Sequence, residues 1–513
     1  MSQRQFSPLI KVGGPARRAG IVPGAEPAPG YGAETPVPNR LADTLVGLTS
    51  NVPPRVVVVG AGFGGLATVK ALQGMPVDVL LVDQNNYHLF TPLLYQVASS
   101  LLDPSEIAYP VRAILRGARN VRFHLGRVRS IDLRARQVVL DDRRIDYDYL
   151  VVAAGSINDY FGNETIEERT FGLKDIDQAL TLRYRVLEQF ERAASTPDRE
   201  ARRRLMSFAI VGAGPTGVEY AGAISELIRL VLRKDFPELD IREVEILLID
   251  GHPHVLEVFR PRLRRAAAQA LAAKGIRLVL GAHVRDVMDD RIQLRDGSDL
   301  VVGTVIWTAG VRGSELGATF GVDLARGGRV AVEPTLQFPG HPEVFVVGDM
   351  AAVVDGKRSL PMLSPVAMQE GASAARSILA MTEGRPSDVF RYHSRGVMAT
   401  IGRNQAVAEI GPFRLAGRVA WFVWLFVHLA LIVGFRNRVI ALLEWGIDYF
   451  FYDRPVRLIT HSQVSEEAAI TNSFVRPPGE PLTQATIIGG SVQDAVDDRP
   501  APAPAADPRT SDA

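Results

Sequence analysis

The sequence predicts an α/β fold with two Rossmann-type units in tandem, followed by a C-terminal region of amphipathic, aromatic-rich helix. Three observations predict it. Short β-branched apolar runs alternate with helical patterns, two of those runs lead straight into G-x-G-x-x-G, and three of the four tryptophans (Trp421, Trp424, Trp445) cluster near the C-terminus.

The apolar runs are RVVVVG, VDVLLVD, YLVVAAG, SFAIVG, VEILLID, IRLVLG, TVIWTAG and VFVVGD. Apolar on both faces and separated by helical segments, they read as parallel strands covered by helices. Residues 1–52 and the tail 466–513 are rich in Pro, Gly, Ala or acidic residues and have no sustained period. Both are expected to be disordered, because such segments bury too little apolar surface to offset their ordering entropy.

The first glycine motif is Gly60, Gly62 and Gly65, after the strand RVVVV and before LATVKALQ. The first glycine permits the tight turn and the second lets the backbone approach a pyrophosphate. The third allows close packing of helix on strand, and the helix N-terminus offers free N–H groups to the anion. The next strand ends at Asp83, 23 residues after Gly60, where an acid can accept hydrogen bonds from an adenosine ribose. The motif recurs at Gly212, Gly214 and Gly217, and the following strand ends at Asp250, 38 residues after Gly212. The excess length fits an extended crossover through RKDFPELDIRE. Asp250 favours the 2′-hydroxyl of NAD over the phosphate of NADP, although His252 and His254 follow it closely. Two cradles imply two dinucleotides, most economically a flavin and the nicotinamide that delivers hydride to it.

Composition narrows the chemistry. The chain has 58 Lys+Arg against 57 Asp+Glu, which gives no general attraction to nucleic acid. It has no cysteine, so disulfide, iron–sulfur and thiolate chemistry by this chain is excluded, and no metal site is read. The N-terminus lacks the apolar stretch of a secretory signal, which places the expected chain in the cytoplasm.

With VVAAGS (151–156), VIWTAGV (305–311) and VFVVGDMA (344–351) in this order, the chain resembles the flavoproteins with two dinucleotide-binding domains. Within that superfamily NNYHLFTPLLYQVAS, GAGPTGVEYAGAISE, LPMLSPVAMQEG and the aromatic C-terminal segment are similar to the type II, single-subunit NADH dehydrogenases. The resemblance implies FAD in the N-terminal cradle and NADH in the second, with the NAD domain inserted into the FAD domain. Expected boundaries are 53–170 and 301–385 for the two parts of the FAD domain, 171–300 for the NAD domain and 386–465 for a membrane-association region. It further implies Gly348 and Asp349 at the flavin, and hydride transfer from NADH followed by reduction of a membrane quinone without proton pumping. Rivals are a reductase serving ferredoxin, a haem protein or oxygen, and a slow membrane-attached NADH sensor.

Glu219 lies in the first turn of the second cradle's helix. It reads either as a dipole-stabilised helix acid or, by resemblance, as a proton-handling group between nicotinamide and flavin. The family's A-Q-x-A-x-Q pattern becomes S-P-V-A-M-Q here, so Gln369 carries over as a quinone or flavin contact while Pro365 replaces the first glutamine. His88 is read as a flavin neighbour without a proton role.

The run WFVWLFVHLALIVG, followed by VIALLEWGIDYFFYD, raises three possibilities: helices lying in a membrane surface, burial in a core or homodimer, or a span. A span needs roughly 20 apolar residues, and the run from Val419 to Phe435 is shorter and contains His428. Glu444 and Asp448, one helical turn apart, are expected to share a face, with Leu442, Leu443, Trp445, Ile447, Tyr449, Phe450 and Phe451 filling most of the remainder. Flanking Arg414, Arg418, Arg436, Arg438, Arg454 and Arg457 are expected to meet lipid phosphates. The expected site of action is the cytoplasmic face of the cell membrane.

Overall fold

The computed structural model describes residues 52–356, 358–451, 454 and 456–459. The tails expected at 1–52 and 466–513 therefore lie outside the described residues, save Val52. The chain divides at Pro53/Pro54, and the elements that follow belong to the second unit.

The first sheet has six strands in the order 337–338, 341–346, 149–152, 55–59, 78–83, 121–125, all parallel except the first pair. His341–Val346 adds to the edge begun by residues far upstream, so this unit is assembled from two separated stretches of chain. The second sheet orders 171–172, 304–307, 207–211, 245–250, 276–280, all parallel. Thr304–Trp307, beyond the expected boundary at 301, hydrogen-bonds beside Ser207–Val211 in this second sheet. Asp250 and Gly212 are separated in sequence because the helix after the second cradle runs on through a π-helical stretch, Leu227–Leu232.

Three helices position the site. Helix α1, Phe63–Leu72, follows the first cradle; α2, Pro215–Glu226, follows the second; α3, Ser364–Thr382, carries the S-P-V-A-M-Q stretch. Helices α1 and α3 touch backbone to backbone, since a Cβ on Gly371 would lie 2.1 Å from the Gly64 carbonyl oxygen. Thr68 donates to Gly371 O at the same crossing.

After α3 comes an antiparallel meander of Val397–Thr400, Ala406–Ile410 and Phe413–Ala416. Two helices follow, α4 (Arg418–Leu431) and α5 (Phe435–Phe451), separated at Gly434, whose φ of +91° breaks the run. No helix among the described residues is long and apolar enough to cross a membrane. The meander and both helices share one core with the second Rossmann unit: Ala399, Trp424 and Trp445 pack with Tyr220, Ile224 and Ile228.

The two helices turn an apolar face outward, as expected for α5, but Trp445, placed on that face, is buried instead. Asp448, Asn437, Trp424 and Trp445 face inward, while Phe422, Phe426, Leu443, Phe450 and Phe451 are exposed. Asp448 is buried because Arg403 reaches it at 2.6 Å and Arg454 at 3.2 Å. Arg454, expected to meet lipid, is 1 % exposed and also lies 3.7 Å from Glu226 on α2. Arg457 pairs with Asp235 rather than pointing away from the protein. Charges of the chain itself thus satisfy the polar side, and the apolar side is left outward.

Candidate active site

The two cradles are nearly superimposable in their local chemistry. Gly60 has φ +101° and Gly212 φ +108°, conformations that glycine adopts without strain. A Cβ on Gly65 would sit 1.8 Å from Gly60 O, and one on Gly217 would sit 1.9 Å from Gly212 O. Gly62 and Gly214 differ in kind: a Cβ there would meet nothing within 4 Å. Both positions leave open space beside the backbone. Both helices begin without a side-chain cap, leaving their first N–H groups for an anion.

Each terminal acid braces its own loop. Asp83 accepts from Ala61 N at 2.5 Å and Asn85 N at 2.6 Å; Asp250 accepts from Ala213 N at 2.6 Å and His252 N at 2.7 Å. A carboxylate offers about four acceptor positions, so both retain capacity for ribose hydroxyls. Burial pushes Asp83 up from the ordinary carboxylate range, against the pull of those two amides. His252 Nδ1 also lies 2.8 Å from Asp250. His88 is buried, with Nδ1 2.8 Å from Ala61 O, and its ring meets Phe63 edge-on. It braces the first cradle.

Gly348 turns the chain at φ +73° and presents Asp349, which accepts from the Ser156 hydroxyl and lies 3.6 Å from Lys174 Nζ. Glu370 was not legible in the sequence. It is 1 % exposed and accepts from Gly348 N at 2.6 Å, and burial together with neighbouring Asp349 pushes it up to about 8. Its only sequence signal is its place beside Gln369.

Glu219 is buried in the first turns of α2 and accepts from Thr400 N at 3.3 Å. Burial pushes its carboxyl up to about 8, opposed by the Thr400 amide and the Trp424 side chain. Gln369 grips the backbone of His393, donating to its carbonyl at 3.0 Å and accepting from its amide at 3.1 Å. Pro365 sits in the first turn of α3, where no backbone N–H is required.

One continuous cavity of about 2460 Å³ connects these groups. Gly60, Gly62, Asp83, Gly348, Asp349, Glu219 and Gln369 all line it, as do Pro365, Tyr95 and His428. Gly65, Gly212, Gly214, Gly217 and Asp250 do not; the second cradle reaches the cavity only through Pro215 and Thr216. The volume is more than twice the roughly 300–1,000 Å³ of a drug-sized ligand site. The lining also includes Phe426 and Leu431, two residues of the exposed apolar surface of α4.

Residues 54–371 match the model of the pyridine nucleotide-disulphide oxidoreductases, and 394–453 match the NDH2 C-terminal domain. A type II NADH:quinone oxidoreductase of Mycobacterium tuberculosis, Ndh, is 41% identical over 430 residues, covering 80% of this chain and 92% of that protein. This chain belongs to the type II NADH:quinone oxidoreductases. A second enzyme of that bacterium, NdhA, is 40% identical over 81% of this chain and 92% of its own. A solved structure of NDH2 from Plasmodium falciparum in complex with NADH superimposes with a TM-score of 0.74. It covers 79% of this chain and 99% of its own at 18% identity, a likeness of fold. With no cysteine, this type II enzyme performs no disulphide chemistry despite the name of the wider family.

Proposed function

We infer that this type II enzyme oxidises NADH and passes two electrons to a quinone, holding FAD in the first cradle while attached to the cytoplasmic face of the membrane. It pumps no protons. The observation that carries the reading is the one cavity whose lining includes Gly62, Asp349 and Glu219 together with Phe426 and Leu431 of the exposed apolar surface of α4.

The residues present fit FAD. Gly62 leaves the space that a Cβ would occupy, the uncapped N-terminus of α1 faces it, and Asp83 retains acceptor capacity for a ribose. Gly348 and Asp349 border the same space. A bound flavin supplies a two-electron carrier between hydride donor and quinone. Gly212, Gly214, Gly217 and Asp250 form the matching cradle for NADH, the ligand of the related P. falciparum structure.

Quinone reduction takes up a proton in addition to the hydride that NADH provides. Glu219 is a buried carboxyl on the cavity wall that carries a proton at neutral pH, so it is placed to hold and release one. Gln369, by gripping the His393 backbone, fixes a stretch of the cavity wall that both residues line. The outward aromatic and aliphatic residues of α4 and α5 suit the interfacial layer of a bilayer. A cavity whose lining includes Phe426 and Leu431 of that face is placed to receive a lipid-soluble acceptor.

The test is to purify the protein, identify the released flavin, and follow NADH and NADPH oxidation with a soluble quinone, with ferredoxin and with oxygen alone. A fast quinone-dependent rate with NADH and stoichiometric FAD is expected. A fast rate only with another acceptor would overturn the quinone assignment. That rival rests on Pro365, which lines the cavity where the family pattern has glutamine.

A further inference from the structure

We propose that His252 is a specificity-determining residue of the second cradle: its ring fills a place on Asp250 that an adenosine ribose would take, which loosens the hold on NADH and blunts the rejection of a 2′-phosphate. The inference rests on the second cradle being the NADH site.

The two cradle acids are built alike up to a third donor. Each accepts from the amide after the first glycine of its cradle, Ala61 N for Asp83 and Ala213 N for Asp250. Each also accepts from the amide two residues beyond itself, Asn85 N or His252 N. His252 then adds its ring, with Nδ1 2.8 Å from the same Asp250 oxygen that its own amide reaches. A carboxylate only accepts, so Nδ1 carries the proton and donates. Of roughly four acceptor positions, two therefore remain on Asp83 and one on Asp250. A ribose presents two neighbouring hydroxyls, and Asp250 can take both only after the ring has left.

The ring can leave without disturbing the fold. The His252 side chain is 72 % exposed, whereas that of Asp250 is 15 % exposed, so the contact sits at the surface of the cradle. The backbone beneath it is held. Gly281 N donates to His252 O at 2.9 Å and Ala282 N to Asp250 O at 3.0 Å, while a Cβ on Gly251 would lie 2.4 Å from the His283 ring. Rotation about the side-chain bonds of His252 is thus enough to uncover the acid. Of the histidines in these two loops, His252, His254 and His283, only the first bonds Asp250 among the described residues.

NADH has to displace the ring, so part of what its ribose gains from Asp250 is offset by the contact that is lost. That suits a nicotinamide, which must leave as NAD+ after each hydride transfer, while a flavin stays. An N–H held on the carboxylate also screens its charge, so a 2′-phosphate meets less repulsion than bare Asp250 would give.

The test uses probes that carry only the adenosine end, ADP-ribose and its 2′-phosphate, titrated calorimetrically into the full-length oxidised flavoenzyme. His252→Ala is expected to tighten ADP-ribose about fivefold and to weaken its 2′-phosphate, as removal of one competing hydrogen bond implies. His252→Asn, which places an amide N–H close to where Nδ1 stands, should stay near the parent. A preference that shifts by less than about twofold in His252→Ala, or weaker ADP-ribose binding, overturns the inference and leaves the NADH reading intact. Asp250→Ala separates the two claims. If it binds ADP-ribose as tightly as the parent, this acid is no ribose contact, and the placing of NADH fails together with the role of His252. If it binds ADP-ribose weakly, adding His252→Ala should change nothing more, and a further fivefold effect would show that the ring acts elsewhere.

Discussion

Attachment through the exposed faces of α4 and α5 can be tested by changing two residues that lie outside the core. Phe450 is 74 % and Phe451 70 % exposed, and neither packs into a core cluster. Moving a fully exposed Phe into an apolar phase is worth roughly 1.5–3 kcal/mol, so their outward portions contribute about 1.5 kcal/mol each to bilayer affinity. Phe450→Ala with Phe451→Ala then removes about 3 kcal/mol, a drop of roughly 150-fold in vesicle partitioning. Flotation with neutral and anionic vesicles measures it, and turnover with a soluble quinone controls for the active site. The double variant should float poorly, reduce the soluble quinone normally and unfold at the wild-type temperature. Unchanged flotation would place the membrane contact elsewhere or assign these residues to a protein partner.

Three further outcomes follow from the geometry. Arg454→Met leaves Asp448 and Glu226 buried with one cation fewer, which should cost about 3–5 kcal/mol in a denaturant titration; a change below about 1 kcal/mol would mean the network is dispensable. Gly65→Ala forces a Cβ onto the Gly60 carbonyl, and the purified protein should lose most of its flavin absorbance; full occupancy would show that the turn can relax. Glu106 is buried beneath α5 with one carboxyl oxygen unpartnered, and burial together with Glu444 and Asp103 pushes it up to about 7. Its folded-state value is raised, so its contribution to stability is intact below the ordinary 4.5 and is lost as the pH climbs through 7. Unfolding midpoints between pH 4.5 and 8 should therefore fall less in Glu106→Gln than in the parent, and parallel curves would contradict this.

The cradles were legible because their constraint is local. A side chain on Gly65 would collide with the Gly60 carbonyl a few residues away, and Asp83 and Asp250 reach back to their own loops. A short stretch of sequence records such requirements in full. The orientation of α5 was not legible, because helical periodicity sorts residues by face without saying what lies opposite. Asp448 turns inward to meet Arg403 and Arg454, and neither partner is on its own helix. Glu370 escaped notice for the same reason: its partner, Gly348 N, belongs to a loop that only the tertiary fold brings near. Gln369 was singled out by pattern, but its grip on His393 depends on a later segment that the pattern does not include.

The inward side of α4 and α5 bears on how a water-soluble form could be made. Cutting the chain before Arg418 would strip Trp424 and Trp445 from a shared core, leave Glu226 without Arg454 and uncover Tyr220. The remnant would be damaged goods, and its inactivity would say nothing about lipid. Repainting the outer face while keeping both helices preserves the keystone and removes only the adhesive. If α4 and α5 are the membrane contact, they are also masonry, and solubility has to be won on their outer surface.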